Sequence, residues 1–516
     1  MSLTLQAFLA ATPILLILVL MLGVRWSAGR AGLVGLVVTL GLAWGVFGYG
    51  TQALPELGVV GATGGALAEA VFIALTILWI IFPALCIHEL QLRTGSVDVI
   101  RMAMGRLSDD PRIIALLVAW FFALFIEGAA GFGTSVALAA PFLVSAGFGR
   151  VEAVSIALIG HAVGVSFGAV GTPVLPQVAV TAFSGVEIAG ATGVYHVVLG
   201  GVMPLVAMGL VTRTMPSGRR TGRTIWGWTV GAAALFLIPF FLIAWYVGPE
   251  LPTLGGALVG GITFVGLLLW ARRHTAASVP VSDPAQHSLP QLARAAAPYL
   301  ILVAVVVLTR LPPDVKRVLQ NVALEWSYAE TFSGRMAYLY HPGTMLAVGF
   351  LAGAWWQNAP ALDVRGAMIA AGRRLGPVAL ALVAMLALSR VMVYAGMIDV
   401  LAEAASLAAG DAWPVFSPFV GMLGTFVTGS ATASNILFTD FQQAAALRLG
   451  VPALPMIGAQ GFGAAVGNII CPHNIIAAGA TVGLTGEEGA VLKRTLVPAL
   501  GYGLLGGLLA FFLVAG

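Results

Sequence analysis

A chain of 516 residues that is 59% hydrophobic and only 9% charged is excluded from the soluble globular class, where about a quarter of residues are charged. Its formal net charge of +4, from 25 Lys and Arg against 21 Asp and Glu, marks loops rather than a nucleic-acid surface, so the composition is that of a polytopic membrane protein. Cys86 and Cys471 lie in separate apolar runs without a CxxC pair or metal-ligand spacing, which predicts buried thiols, no disulfide framework, no metal and no cofactor.

The opening MSLTLQAFLAATPILLILVLMLGVRW places its first arginine after the apolar run. It therefore predicts a retained span that starts outside, not a cleaved signal. Crossings are expected over 3–24, 31–47 and 67–87, and this first block is taken as 1–111.

The next stretch, 113–183, does not read as ordinary spans. Two apolar arms, 113–126 and 136–149, flank the glycine-rich EGAAGFGTS. Each has about 14 residues, or roughly 21 Å of helix against a hydrocarbon core of roughly 30 Å, which predicts a re-entrant hairpin. The run 154–183 is longer than one crossing needs, and a break at GAVGTP, 168–173, resolves the excess. A crossing at 195–211 closes this block, 112–211.

A central block, 212–410, carries crossings at 225–247, 253–270, 295–309, 343–356 and 376–395, with the polar loops RTMPSGRRTGR and ARRHTAASVPVSDPAQHSLP and an external segment from Arg310 to His341. The last block, 411–516, repeats the hairpin and the broken helix over 412–484 before a final crossing at 496–515. Pro173 and Pro472, Gly168 and Gly467, and Ser135 and Ser434 all share one offset (472 − 173 = 299), which predicts an internal repeat.

With both termini outside, most basic residues fall on the cytoplasmic side, including Arg25, Arg106, Arg219, Arg220 and Arg223. Only Arg310, Lys316, Arg317, Arg335 and Arg448 fall outside, as the positive-inside rule requires. In that orientation the first hairpin enters from the cytoplasm and the second from outside. The expected fold is thus an all-α polytopic membrane protein with inverted repeats, each holding a re-entrant helical hairpin and a broken transmembrane helix.

The breaks carry the candidate chemistry. Proline at GAVGTP and GNIICPHN lets a helix restart, and its free N–H groups and partial positive charge suit a small anion. Thr172 and Asn474 add side-chain donors. The tips supply Gly131 and Gly133 for close approach and hydroxyls or an amide in Thr134, Ser135, Ser430, Thr432, Ser434 and Asn435. Small residues also let helices pack, but four glycine-rich breaks in matched positions weigh against packing alone.

Ionisable residues within apolar runs are costly and usually functional. Glu127, at the first tip, is the leading candidate to carry a proton, followed by Asp440 and by His473 beside the second break. Arg390 either binds a substrate carboxylate or pairs with a buried acid. Glu69 is expected at the interface, and His161 in a structural role.

The runs ALFIEGAAGFGTSVALAAPFL, SFGAVGTPVL, TGSATASNILF and GAAVGNIICPHNIIAAGATVGLTGEEG closely resemble the lactate permease family of bacterial and archaeal cytoplasmic membranes. The resemblance covers most of the chain. It implies proton-coupled uptake of L-lactate and related small 2-hydroxy monocarboxylates such as glycolate, a fold like the ion transporter superfamily, and a dimer with a moving transport domain. Matching motifs carry site roles onto Glu127, Gly128, Gly131, Gly133, Ser430, Thr432, Ser434, Asn435, Pro472, His473 and Asn474. Familiar members often have an acidic or amide residue where this chain has Ala431, and a lysine where it has Asn468.

A sodium-coupled dicarboxylate carrier would share the paired hairpins, so it stands as the alternative. An enzyme would need a nucleophile with its base, a metal pair or a nucleotide loop, and no HExxH or Walker motif is present.

Overall fold

The computed structural model describes residues 1–24, 26–105, 107–108, 110–131, 133–214, 224–274, 289–310, 312–484 and 487–515. Most of the two polar loops, and Arg25, Arg106, Arg219, Arg220 and Arg223, lie outside them. Among the described residues, 10 helices are long and apolar enough to cross a membrane, and two further bent pairs, Gly185–Leu199 with Val202–Thr214 and Leu289–Ala295 with Ala297–Arg310, pass the same test together. The protein is an all-α polytopic membrane protein.

Burial sorts these helices into an outer and an inner set. The apolar stretch of Leu3–Met21 is only 17% buried, whereas those of Pro111–Ala129 and Arg150–Val180 are 94% and 100% buried. Outer helices expose Phe8, Val19, Val37, Ile262 and Phe512, side chains that a hydrocarbon solvent accepts at no cost. The inner set is the hairpins and broken helices, so the polar groups they carry are screened from lipid by protein.

The same order of elements occurs in each half. A long helix, Gly58–Arg93 or Ala361–Tyr394, leads to a shorter one, Ser96–Gly105 or Met397–Ala409, then to a hairpin, a broken helix and a final span. The two long helices pack on each other. They exceed the expected 67–87 and 376–395, because hydropathy marks the lipid-crossing portion of a helix while its hydrogen-bonded ladder continues into polar residues at both ends. Neither Pro83 nor Pro377 ends its helix.

The first hairpin departs from expectation in its entering arm. Asp110 caps the helix by accepting from the Arg112 N–H, Pro111 occupies the first turn, and the ladder runs through Glu127 to Ala129. The resulting Pro111–Ala129 segment has 19 residues, long enough by itself to cross, not the 14 or so read from the apolar run. Its middle, Leu116–Phe122, is π-helical, a local widening that is frequent near functional sites. The returning arm, Thr134–Ser145, has 12 residues, and the arms of the second hairpin are Trp413–Thr428 and Ala431–Leu449.

The external segment forms the exposed helix Pro313–Asn321 and an antiparallel strand pair, Leu324–Tyr328 with Phe332–Met336. Its anchor is Phe332, buried against Gly65 and edge-on to Tyr394. The alternation that would have marked these strands is only five residues long on each side, too short to stand out.

Candidate functional site

Both hairpin tips meet both helix breaks at one small cavity inside the buried set. Gly131, Gly133, Glu127, Gly168, Ala169, Thr172 and Pro173 line it from the first half, and Gly429, Ser430, Ala431, Thr432 and Asn468 from the second. The lining residues pair in register: 430 − 131, 432 − 133 and 468 − 169 each give 299.

Local chemistry explains each wall. At the first tip Gly131 and Gly133 have φ of +57° and +76°, a left-handed backbone that glycine adopts without steric cost. A Cβ on Gly131 would stand 2.9 Å from the Ala169 Cβ, so the tip touches the first break directly. At the break, the left-handed turn is carried by Ala169 and Val170, at φ +43° and +55°, as well as by Gly171. Non-glycine residues in that region are strained, and such strain gathers at functional sites. Thr172 holds the turn by donating from Oγ1 to the Ala169 carbonyl at 2.5 Å. The second tip is tighter: left-handed Gly429 ends the incoming arm and Ser430 caps the outgoing one by accepting from the Ala433 N–H at 3.3 Å.

Among the described residues, the one ionisable side chain on the cavity wall is Glu127, which is buried. Its Oε2 accepts from Ser135 Oγ at 2.7 Å, and its Oε1 lies where a Cβ on Gly168 would stand 2.5 Å away. Gly168 is therefore the space in which this carboxyl sits. Gly168→Ala should displace it and cut substrate uptake by about tenfold or more, at unchanged expression, because an overpacked site costs roughly 1–3 kcal/mol; uptake within twofold of the parent would show that the carboxyl does not need this position.

The donors facing Glu127 are backbone amides and neutral side chains. The helix Ala431–Leu449 begins at the wall, and Ser430 satisfies only its Ala433 amide, which leaves the Ala431 and Thr432 N–H groups without an intrahelical partner. The returning arm of the first hairpin starts at the opposite wall, after Gly133. The sequence predicts that helices restarting after the breaks supply the anion-binding ends, and Thr172 and Pro173 of the first restart also line the cavity. The first restart is a short turn, Thr172–Val174, followed by the six residues Leu175–Val180. The second is Pro472–Thr481, whose Asn474 donates to Asn468 on the wall.

The remaining predicted residues divide in two. Thr134, donating to the Gly131 carbonyl at 2.6 Å, and Asn474, donating to Asn468 Oδ1 at 2.7 Å and standing beside Gly133, hold the wall from behind. Ser434, Asn435, His473, Asp440 and Arg390 are not on it. Ser434 donates to the Gly421 carbonyl at 2.8 Å and accepts from Gln460, and Asn435 donates to the Pro173 carbonyl at 2.8 Å. His473 is exposed, with its ring against Gly429.

Arg390 pairs with Asp440 of the second hairpin, which also accepts from Ser389. Of the two readings left open for Arg390, the structure shows the buried acid. Glu69 joins this cluster, accepting from the Tyr394 hydroxyl at 2.7 Å, and is buried rather than interfacial. A helix carries its lipid exposure on one stripe, and Glu69 sits on the opposite one. Asn468 was noticeable in the sequence only as a departure from the resembled motif, although its repeat register with Ala169 marks the same wall. His161 is buried, as a structural histidine would be, and its Nε2 faces Asn468. Cys86 and Cys471 are buried and free.

A bundle of lipid-exposed helices around buried hairpins and interrupted helices defines a multi-pass membrane transporter, and the small-residue breaks enclose its candidate binding cavity. Residues 6–515 match the model of the L-lactate permease family. The chain belongs to that family. It is 31% identical to the L-lactate permease of Escherichia coli K12, over 82% of each chain, and 29% identical to that of Bacillus subtilis, over 97% of this chain and 94% of the relative. The glycolate permease GlcA of E. coli K12 is 27% identical over 97% of this chain and 94% of its own length. These relatives are permeases, and the chain is a transporter rather than an enzyme.

Proposed function

We propose that the protein is a secondary active transporter that carries L-lactate and related 2-hydroxy monocarboxylates such as glycolate across the membrane together with a proton. The observation that carries this reading is the cavity wall, where Glu127 is opposed by helix-terminal amides, the Thr432 hydroxyl and the Asn468 amide. Such donors suit one carboxylate and a neighbouring hydroxyl. Two negative charges in one small, water-poor cavity repel strongly. The substrate anion and an ionised Glu127 therefore exclude each other, and protonated Glu127 admits the anion. That rule couples one proton to one monocarboxylate. Permeases similar to this chain are named for lactate and glycolate, and among the described residues the wall carries no cationic side chain, which favours a single carboxylate over a dicarboxylate.

In this reading the two halves are inverted repeats, and the hairpins move with their broken helices against the long helices Gly58–Arg93 and Ala361–Tyr394 to expose the cavity alternately. The contacts of Asn435 with Pro173 and of Gly131 with Ala169 tie tips to breaks and make one rigid moving body. In a background without the native thiols, Ser430→Cys on the cavity wall should exchange accessibility from one side of the membrane for accessibility from the other when substrate shifts the state. Labelling from one side only in every condition would contradict alternating access. The substrate class is tested by competition: glycolate should displace radiolabelled L-lactate uptake into proteoliposomes, and succinate should not. Stronger competition by succinate would move the assignment to dicarboxylates.

A further inference from the structure

His161 ends the helix Arg150–His161 and is fully buried. Its Nδ1 lies 3.0 Å from the Ala157 carbonyl oxygen, and its Nε2 lies 3.1 Å from Asn468 Oδ1. A carbonyl oxygen only accepts, so Nδ1 carries a hydrogen. The Asn468 oxygen also takes the Nδ2–H of Asn474 at 2.7 Å, which fixes it as the acceptor end. Both ring nitrogens therefore face acceptors, an arrangement satisfied by the imidazolium, which donates twice. Neutral imidazole with its hydrogen on Nδ1 has a lone pair on Nε2, and then the Asn468 amide must turn over to offer its Nδ2–H, with the Asn474 amide turning too so that its Oδ1 accepts the second Asn468 N–H.

Asn468 is on the cavity wall, so the two orientations differ in what a substrate meets. With Oδ1 held by His161 and Asn474, the amide N–H groups are the end left for the cavity, and no described residue takes them up. With the amide reversed, a carbonyl lone pair is left there and opposes a carboxylate.

We propose that His161 is a positioning residue that reads pH at this site: protonated, it turns the Asn468 amide donor toward the bound carboxylate, and neutral, it turns the acceptor. The proton comes from the side to which the cavity is open and leaves the same way, and no bond other than N–H changes. This inference rests on the reading of the cavity as the anion site and adds an affinity switch distinct from the proton on Glu127. The titratable side chains on the elements packed against His161 are Arg112 and Glu127 on the entering arm, Arg213 on Val202–Thr214, His473 on Pro472–Thr481, and Glu488, Lys493, Arg494 and Tyr502 on the last helix. None of them hydrogen-bonds to the ring, whose partners are the Ala157 carbonyl and Asn468.

The test is the KM for L-lactate exchange in proteoliposomes, measured at acid and alkaline pH for the parent, His161→Gln, His161→Ala and Asn468→Ala. His161→Gln can still donate to Asn468 Oδ1 and should keep the parent's acid KM. It should also lose about tenfold of the parent's rise in KM toward alkaline pH, the scale of one hydrogen bond to a charged group. His161→Ala, with nothing to orient the amide, should show a raised KM already in acid. Equal KM ratios in the parent and His161→Gln, with Asn468→Ala raising KM, would overturn the switch alone. An unchanged KM in Asn468→Ala would overturn the cavity reading and the switch with it. If His161→Ala fails to assemble, the ratio in His161→Gln still decides.

Discussion

Glu127→Gln is expected to abolish uphill accumulation of lactate driven by a pH gradient while sparing exchange of labelled for unlabelled substrate. The amide is neutral and fills nearly the same space, so it imitates the protonated carboxyl that admits the anion, and it can still accept from Ser135, which sits 2.7 Å from the native Oε2. Exchange requires only that the loaded carrier move back and forth. Net accumulation requires the proton to leave on the far side, and an amide has none to give. In the parent, the proposed one-to-one symport should sustain about a tenfold concentration ratio for each unit of pH gradient, since both terms are worth about 1.4 kcal/mol per factor of ten. In the variant the ratio should fall to about one. Accumulation like the parent's in Glu127→Gln would remove this residue from the coupling step.

The second large effect is on stability. Arg390→Met should destabilise the protein by about 3–5 kcal/mol, because removing one partner from a buried ion pair leaves the other charge uncompensated. Here two acids lose their cation: Asp440, the direct partner, and Glu69, held in the same cluster by Tyr394. Arg390→Met combined with Asp440→Leu should regain most of the loss, as apolar replacement of a whole buried pair is often neutral. Thermal unfolding in detergent reads both variants. A single variant as stable as the parent but with a raised lactate KM would mean that Arg390 serves the substrate carboxylate instead.

How far the sequence led follows from the physics of each residue. Gly131, Gly133, Thr172 and the two breaks were readable because glycine at positive φ and proline at a helix restart are constraints of the local backbone. Glu127 was readable because an acid in an apolar run has few reasons to be there. Ser434, a substrate-binding candidate from the tip motif, lies off the wall for a different reason. It lies two residues beyond Thr432 on the helix Ala431–Leu449, a rotation of about 200° that carries it to the far face. The tip motif names residue types, and the helix chooses between them. Which acid Arg390 meets was beyond the chain's local pattern, since Asp440 is 50 residues away and only packing brings the two together.

In the proposed mechanism one proton accompanies one monocarboxylate through the cavity at Glu127. The most direct test is uptake of radiolabelled L-lactate into proteoliposomes of the purified protein, with pH, sodium and electrical gradients imposed one at a time. An inward proton gradient alone should drive accumulation, unchanged when the membrane potential is clamped at zero and without sodium on either side. Accumulation that requires a sodium gradient, or that follows the membrane potential at equal pH, would contradict electroneutral proton symport.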